Sequence, residues 1–289
     1  MIFESEQATS AFLVQLRTLA ARDTSPPRSK AEKMLSIWRF QCLSQQNEHP
    51  PLFCDTILRK ERVDTVKKNI QIAIDGPAGA GKSTIAKIVA EKLGYTYIDT
   101  GAMYRALTLK GLKEHIDLEN AESVTNLLAK TTIELKPSER GQLVYLDGQD
   151  VTKEIRSNEV TGNVSRVACH ATMREIMVEH QRGMAELGGV VMDGRDIATA
   201  VLPNAELKVY MSATVAERAR RRYEDNKQRG IDSSIEKLQE EIALRDKIDS
   251  EREASPLIQA PDAIFLDTTD LTITQAADAI LNLASERMA

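Results

Sequence analysis

The chain has 289 residues, 42% of them hydrophobic and 28% charged, which suffices for one large or two modest domains with a full core. Its net charge of −5 argues against a general nucleic-acid binder, and no apolar run approaches membrane-span length. Cys42, Cys54 and Cys169 show neither metal spacing nor an even disulfide framework, so a reducing cytoplasm is the expected home.

Residues 1–69 come first and carry no motif. The Pro26-Pro27 and Pro50-Pro51 pairs break them, and 31–43 reads as one short helix around Trp38. The N-terminus has no basic stretch followed by a long apolar one, so no secretory leader is expected. The expectation is an unassigned N-terminal extension, weakly packed on the core: either a genuine appendage or, the favoured reading, translated sequence upstream of the true start. Purine codons for Lys60 and Glu61 before Val63 or Val66 would suit such a start.

From Asn69 the pattern becomes α/β. Strands are predicted at 70–75, 95–98, 189–193, 206–211 and 263–267, with helices at 82–93, 101–114, 172–187, 214–228 and 234–250. Strands alternating with helices imply a parallel sheet covered on both faces, with ligands at the carboxyl ends of the strands. One stretch departs from this rhythm. Residues 131–135, a turn from Pro137 to Gly141, residues 142–146 and the Asp147-Gly148 turn read as an antiparallel hairpin. The expected organisation is a core of 70–114 and 188–289, an insert of 115–187 carrying substrate specificity, and a short helical lid at about 215–231.

The first strand and first helix enclose G-x-x-x-x-G-K-[ST]. Gly76, Pro77, Ala78, Gly79, Ala80, Gly81, Lys82 and Ser83 fill it, and Thr84 follows. Strand, glycine loop and helix together make the phosphate cradle of a P-loop protein. Main-chain N–H groups point at phosphate oxygens. Lys82 reaches the β/γ phosphates, and the Ser83 hydroxyl is a Mg²⁺ ligand of the bound ATP.

A P-loop does not distinguish a kinase from a switch or a motor. A guanine-reading N-K-x-D is missing: Asn226 and Lys227 are followed by Arg229 where the Asp belongs. Arg105, Arg156, Arg174, Arg195, Arg245 and Arg252 instead lie near predicted element ends, which suits an enzyme holding two phosphorylated molecules. Arg218, Arg221 and Arg222 share one helical face by i, i+3, i+4 spacing. A solvated charged face is the alternative reading, but Gly230 ends the segment as a hinge would. Ile235, Leu238 and Ile242 form an apolar stripe that Arg245, Asp249 and Arg252 continue, and Ser233 with Glu236 suits a capping box. Thr100 suits a helix N-cap, and Asp193 stands where a Walker-B acid or a turn-capping Asp would.

The segments 97–105, 191–197 and 244–249, with Arg252 and the P-loop, occur in the order seen in bacterial cytidylate kinases. The resemblance runs from Asn69 to Leu283. It implies a P-loop core with a five-stranded parallel sheet, an antiparallel β-containing nucleotide-monophosphate insert and a short lid. It further implies phosphoryl transfer from ATP to CMP or dCMP with Mg²⁺, by a monomer. Lys82, Arg195 and Arg221 would be catalytic, and Arg218 and Arg222 would join the P-loop on ATP. Arg105, Arg195 and Arg252 would clamp the CMP phosphate. Ser165, Arg174 and Asp196 would read cytosine, and Thr100, Arg245 and Asp249 would contact the sugar. The nucleophile is an already ionised phosphate oxygen, so the absence of a catalytic His is consistent. Other readings are a P-loop kinase for a different acceptor and a nucleotide-dependent switch. An RNA-binding role for 218–229 conflicts with the acidic balance.

Overall fold

The computed structural model describes residues 69–138, 141–228 and 230–288. The readings made for residues 1–68 lie outside them. Five strands form one sheet in the order β2-β6-β1-β7-β8, and every pairing in it is parallel. They are β1 (Gln71–Asp75), β2 (Thr96–Asp99), β6 (Val190–Gly194), β7 (Leu207–Ser212) and β8 (Ile264–Asp267). The central strand β1 pairs with β6 through Ile72↔Val191 and with β7 through Ile72↔Leu207.

Alternation along β1 explains the layering. Ile72 and Ile74 pack with Ile85 and Val89 of α1 (Lys82–Leu93) and with Ala277 and Ile280 of α8 (Ile273–Met288). Ala73, one step out of phase, faces the other side with Ile98, Met192 and Val178. A strand buried on both faces is apolar throughout, and that is why the sheet needs helices on both sides.

The second sheet is antiparallel: β3 (Ile133–Ser138), β4 (Gly141–Leu146) and β5 (Gln149–Asp150). The ladder reaches further into the turn than expected. Pro137 and Gly141 were read as turn residues, but Pro137 pairs with Gln142 and Ser138 with Gly141 inside the ladder. Asp147 and Gly148 both have positive φ, 49° and 83°, as a tight hairpin turn requires. This sheet packs on α2 (Thr100–Lys113) through Ala102, Ala106, Val144 and Leu146. The opposite side of α2 packs with α3 (Ala121–Leu128), α4 (Asn158–Ala168) and α5 (Ala171–Ala185) through Met103, Leu107, Val124, Val164 and Met173. The helices α3, α4 and α8 are absent from the sequence reading above.

The pair α6 (Val215–Gln228) and α7 (Ile235–Glu251) closes the architecture around Ala219, Leu238 and Ile242. The apolar stripe is as expected, but its cap is not. Ser234, not Ser233, caps α7 by accepting from the Lys237 N–H at 3.2 Å. No helix among the described residues is long and apolar enough to cross a membrane.

Candidate active site

The P-loop leaves β1 at Gly76. That residue has φ 145°, and a Cβ there would lie 1.9 Å from the Met211 carbonyl oxygen of β7, so only glycine fits. The loop ends at Gly81, a left-handed N-cap (φ 88°) with no side-chain capping bond. The first N–H groups of α1 therefore lack intrahelical acceptors and no side chain covers them, which makes an anion site. Lys82 is buried and donates to the Pro77 carbonyl at 2.8 Å. Burial, and next the charge of Arg195, pull its pKa down, while Asp193 and Asp75 oppose this.

The Ser83 hydroxyl donates to Asp193 at 2.8 Å, and the Tyr97 hydroxyl donates to the other Asp193 oxygen at 2.8 Å. Burial, then the nearby charge of Asp99, raises the Asp193 carboxyl above its usual range. A hydroxyl and a carboxylate side by side at a phosphate loop are the hard oxygen donors that Mg²⁺ prefers, with phosphates and water completing its shell. Asp75, at the loop's start, accepts from the Ile197 and Ala198 N–H groups at 2.8 and 2.7 Å. It thereby fixes the π-helical turn Ile197–Val201 that follows β6.

The three arginines of α6 part company. Arg218 is buried and donates to Ala213 O, Ala78 O and Asp246, at 2.9, 3.1 and 2.6 Å. It ties α6 to the P-loop backbone and to α7, instead of sharing one free face with the other two. Arg221 donates to the Thr268 carbonyl at 2.5 Å, and Thr268 donates to Ala80 O at 3.2 Å, so Arg221 stands beside the donor loop. Arg222 lines a cavity of about 870 Å³ with Ser165 and Arg245. That cavity opens between α4 and the α6–α7 pair, and its size suits a small ligand.

Arginines from several elements converge. Burial pushes Arg105 down to about 10, with Arg156, Arg195 and Arg222 adding like charge against the opposing Asp99. Burial, then Arg195, pushes Arg245 down to about 9. Both remain cations at neutral pH. So many like charges in one place mean a strong anion pocket. Arg195 donates to Asp249 at 2.9 Å, and Arg245 lies 4.0 Å from the same carboxylate oxygen. Burial alone would raise Asp249, but Arg195 and Arg245 outweigh it and hold it low. Arg105 donates to the Thr161 hydroxyl at 2.8 Å.

Arg174 and Asp196 form a buried ion pair. Arg174 also donates to Ala168 O at 2.9 Å, and Arg252 approaches the second Asp196 oxygen at 4.0 Å. Thr100 is not the cap of α2. Asp99 is, accepting from the Ala102 N–H at 3.0 Å, and the buried Thr100 hydroxyl donates to Asp193 O at 2.8 Å. Asp99 also receives Arg156 at 3.0 Å. Among these groups, Thr268, Asp75, Tyr97 and Asp99 had no site role in the sequence reading. Asp75, Asp99 and Thr268 sit at or just past the carboxyl ends of parallel strands, and Tyr97 lies within one. That edge rule was the available signal.

A sequence profile described as Cytidylate kinase matches residues 72–286. The chain belongs to the cytidylate kinase family. The cytidylate kinase of Lysinibacillus sphaericus (strain C3-41) is 70% identical over 223 residues, which are 77% of this chain and 100% of that protein. That of Bacillus subtilis (strain 168) is 55% identical over 222 residues, 77% and 99% of the two chains. A shikimate kinase from Acinetobacter baumannii, solved with shikimate, superposes with TM-score 0.36 at 16% identity, covering 76% of this chain and 95% of that one. The chain is a kinase, and its parallel sheet with a P-loop after the central strand is the fold expected of one.

Proposed function

We propose that this chain transfers the γ-phosphoryl group of ATP to CMP or dCMP, releasing ADP and CDP or dCDP. The observation that carries the reading is the position of Arg195. Arg195 follows Gly194, the strand partner of Asp75 where the P-loop begins, and it shares Asp249 with Arg245. This supports two anion pockets meeting in a single cleft, as transfer between two phosphates requires.

The P-loop amides and Lys82 hold the donor phosphates, with Arg221 beside them. Arg105 and Arg195 grip the acceptor phosphate, Arg252 assists, and Arg245 with Asp249 meets the sugar. The acceptor oxygen is ionised at neutral pH and needs no general base. The residues' work is alignment and charge neutralisation as the phosphoryl group moves. Ser83 and Asp193 would hold Mg²⁺, which supplies charge neutralisation on the phosphates. Base choice rests on the Arg174–Asp196 pair with Ser165. Asp196 accepts from the exocyclic amine of cytosine, whereas uracil would set a carbonyl against the carboxylate. We place Arg218 and Thr100 as supports of this cleft, and Arg222 on its acceptor side. The enzyme acts as a cytoplasmic monomer.

ADP release measured with a panel of nucleoside monophosphates tests the reading. CMP and dCMP should be turned over well ahead of UMP, AMP and GMP. Strong preference for another acceptor, or slow ATP hydrolysis indifferent to CMP, would reject it.

A further inference from the structure

Most of the inward face of α5 is apolar. Met173, Met177, Val178 and Ala185 are buried there, yet Arg174 and Gln181 are buried among them. Gln181 follows Arg174 by seven positions, two helical turns along the same side. It is 1% exposed, and its amide nitrogen has no hydrogen-bond partner. A methionine would fill the same volume without an unsatisfied donor. The amide therefore calls for an explanation other than packing.

Three neighbours share its condition. The Tyr104 hydroxyl, Arg174 Nε and Arg252 Nη2 are also buried without partners. The two arginines flank one carboxylate: Arg174 pairs with Asp196, and Arg252 approaches its other oxygen. The Arg174 guanidinium lies over the Tyr104 ring, 5.2 Å from its centroid. Burial pushes the Tyr104 hydroxyl up to about 12, while Arg174 and the Gln181 amide favour its ionised form. Tyr104 packs in one cluster with Met173, Met177 and Met184 of α5, the helix that carries Gln181, and neither the Tyr104 hydroxyl nor the Gln181 amide nitrogen has a hydrogen-bond partner. All four orphaned atoms can donate. Unsatisfied donors retained in a well-packed interior are typical of sites kept for binding at some cost in stability.

We propose that Gln181 is a positioning residue for acceptor-base selection. Acting through Tyr104, it fixes the Arg174 guanidinium against Asp196, so that this pair offers a single donor–acceptor pattern to the base. The inference rests on the CMP reading above and adds Gln181 and Tyr104 to it.

The test is steady-state kinetics and thermal unfolding of Gln181→Met in the full chain. The melting temperature should stay level or rise, because an orphaned donor is removed. KM for CMP should rise about tenfold and the CMP/UMP preference should fall about tenfold, with KM for ATP unchanged. Unaltered CMP kinetics and preference would overturn the proposal. So would equal losses on CMP and UMP accompanied by a shift in KM for ATP, the mark of general damage. Tyr104→Phe should reproduce the pattern, and it carries the same test if Gln181→Met does not fold. Wild-type turnover of CMP in the same assay tests the underlying reading separately.

Discussion

Replacing Asp196 with alanine separates two roles that this residue combines. Asp196 is 4% exposed and Arg174 is 3% exposed, so their ion pair is almost wholly desolvated. Removing one partner leaves a buried guanidinium uncompensated, which costs about 3–5 kcal/mol. Arg252, 4.0 Å from the second Asp196 oxygen, would lose a counter-charge too and adds to the loss. Against a typical stability of roughly 5–15 kcal/mol this is a large fraction. Replacing both members together, as Arg174→Met with Asp196→Leu, leaves no lone charge from the pair and should be much milder. Urea unfolding of the wild type, both single variants and the double variant gives the coupling directly. The second readout is kcat/KM with CMP and with UMP. A mismatched buried polar contact is worth about 1–3 kcal/mol, so the CMP/UMP preference should narrow by roughly 5- to 150-fold. If the single variant lost under about 1 kcal/mol, the desolvation argument would fail. If both substrates suffered alike, Asp196 would not be a base reader.

Lys82→Ala should cut turnover by at least about a hundredfold while leaving the unfolding midpoint near the wild-type value. The lysine's hydrogen bond within the fold goes to Pro77 O, and burial already disfavours its charge, so little stability depends on it; full activity would reject its role. Asp75 gives a pH signature. Burial raises its carboxyl from 3.8 to about 6, despite two backbone N–H bonds. The folded state therefore binds more protons than the unfolded one between these values, and this contribution to stability falls as pH rises from about 4 to 6. The difference between wild type and Asp75→Asn should move by up to about 3 kcal/mol across that window and flatten above it. A difference that stayed constant from pH 4 to 7 would contradict the buried, protonated carboxyl.

The parallel strands were legible because they are short apolar runs set between helical stretches, and each lies within one residue of its expected position. The helices α3, α4 and α8 were not legible for a common reason. The first two span only 8 and 11 residues, so their apolar spacing runs for two or three turns, and α8 buries mainly alanines (Ala276, Ala277, Ala284), which mark an apolar face less sharply than large side chains do. Caps were displaced by one residue at α2 and α7. Asp99 and Thr100, like Ser233 and Ser234, are adjacent residues of capping type, and backbone geometry chooses between them.

The sequence by itself determined the phosphate loop. A strand, a glycine loop and a helix are contiguous, so their geometry follows from local rules, and Gly76 through Ser83 needed no distant contact to be read. Only the tertiary structure decided the rest of the cleft. Equal spacing on α6 made Arg218, Arg221 and Arg222 look alike. Folding sent the first into the interior against Asp246, the second to Thr268 beside the P-loop, and the third to the cavity beside α4. The convergence of Arg105, Arg195 and Arg245, and the burial of Gln181 beside Tyr104, join residues from separate elements. Their charges and donors acquire meaning only when desolvation in a shared interior makes each depend on its neighbours.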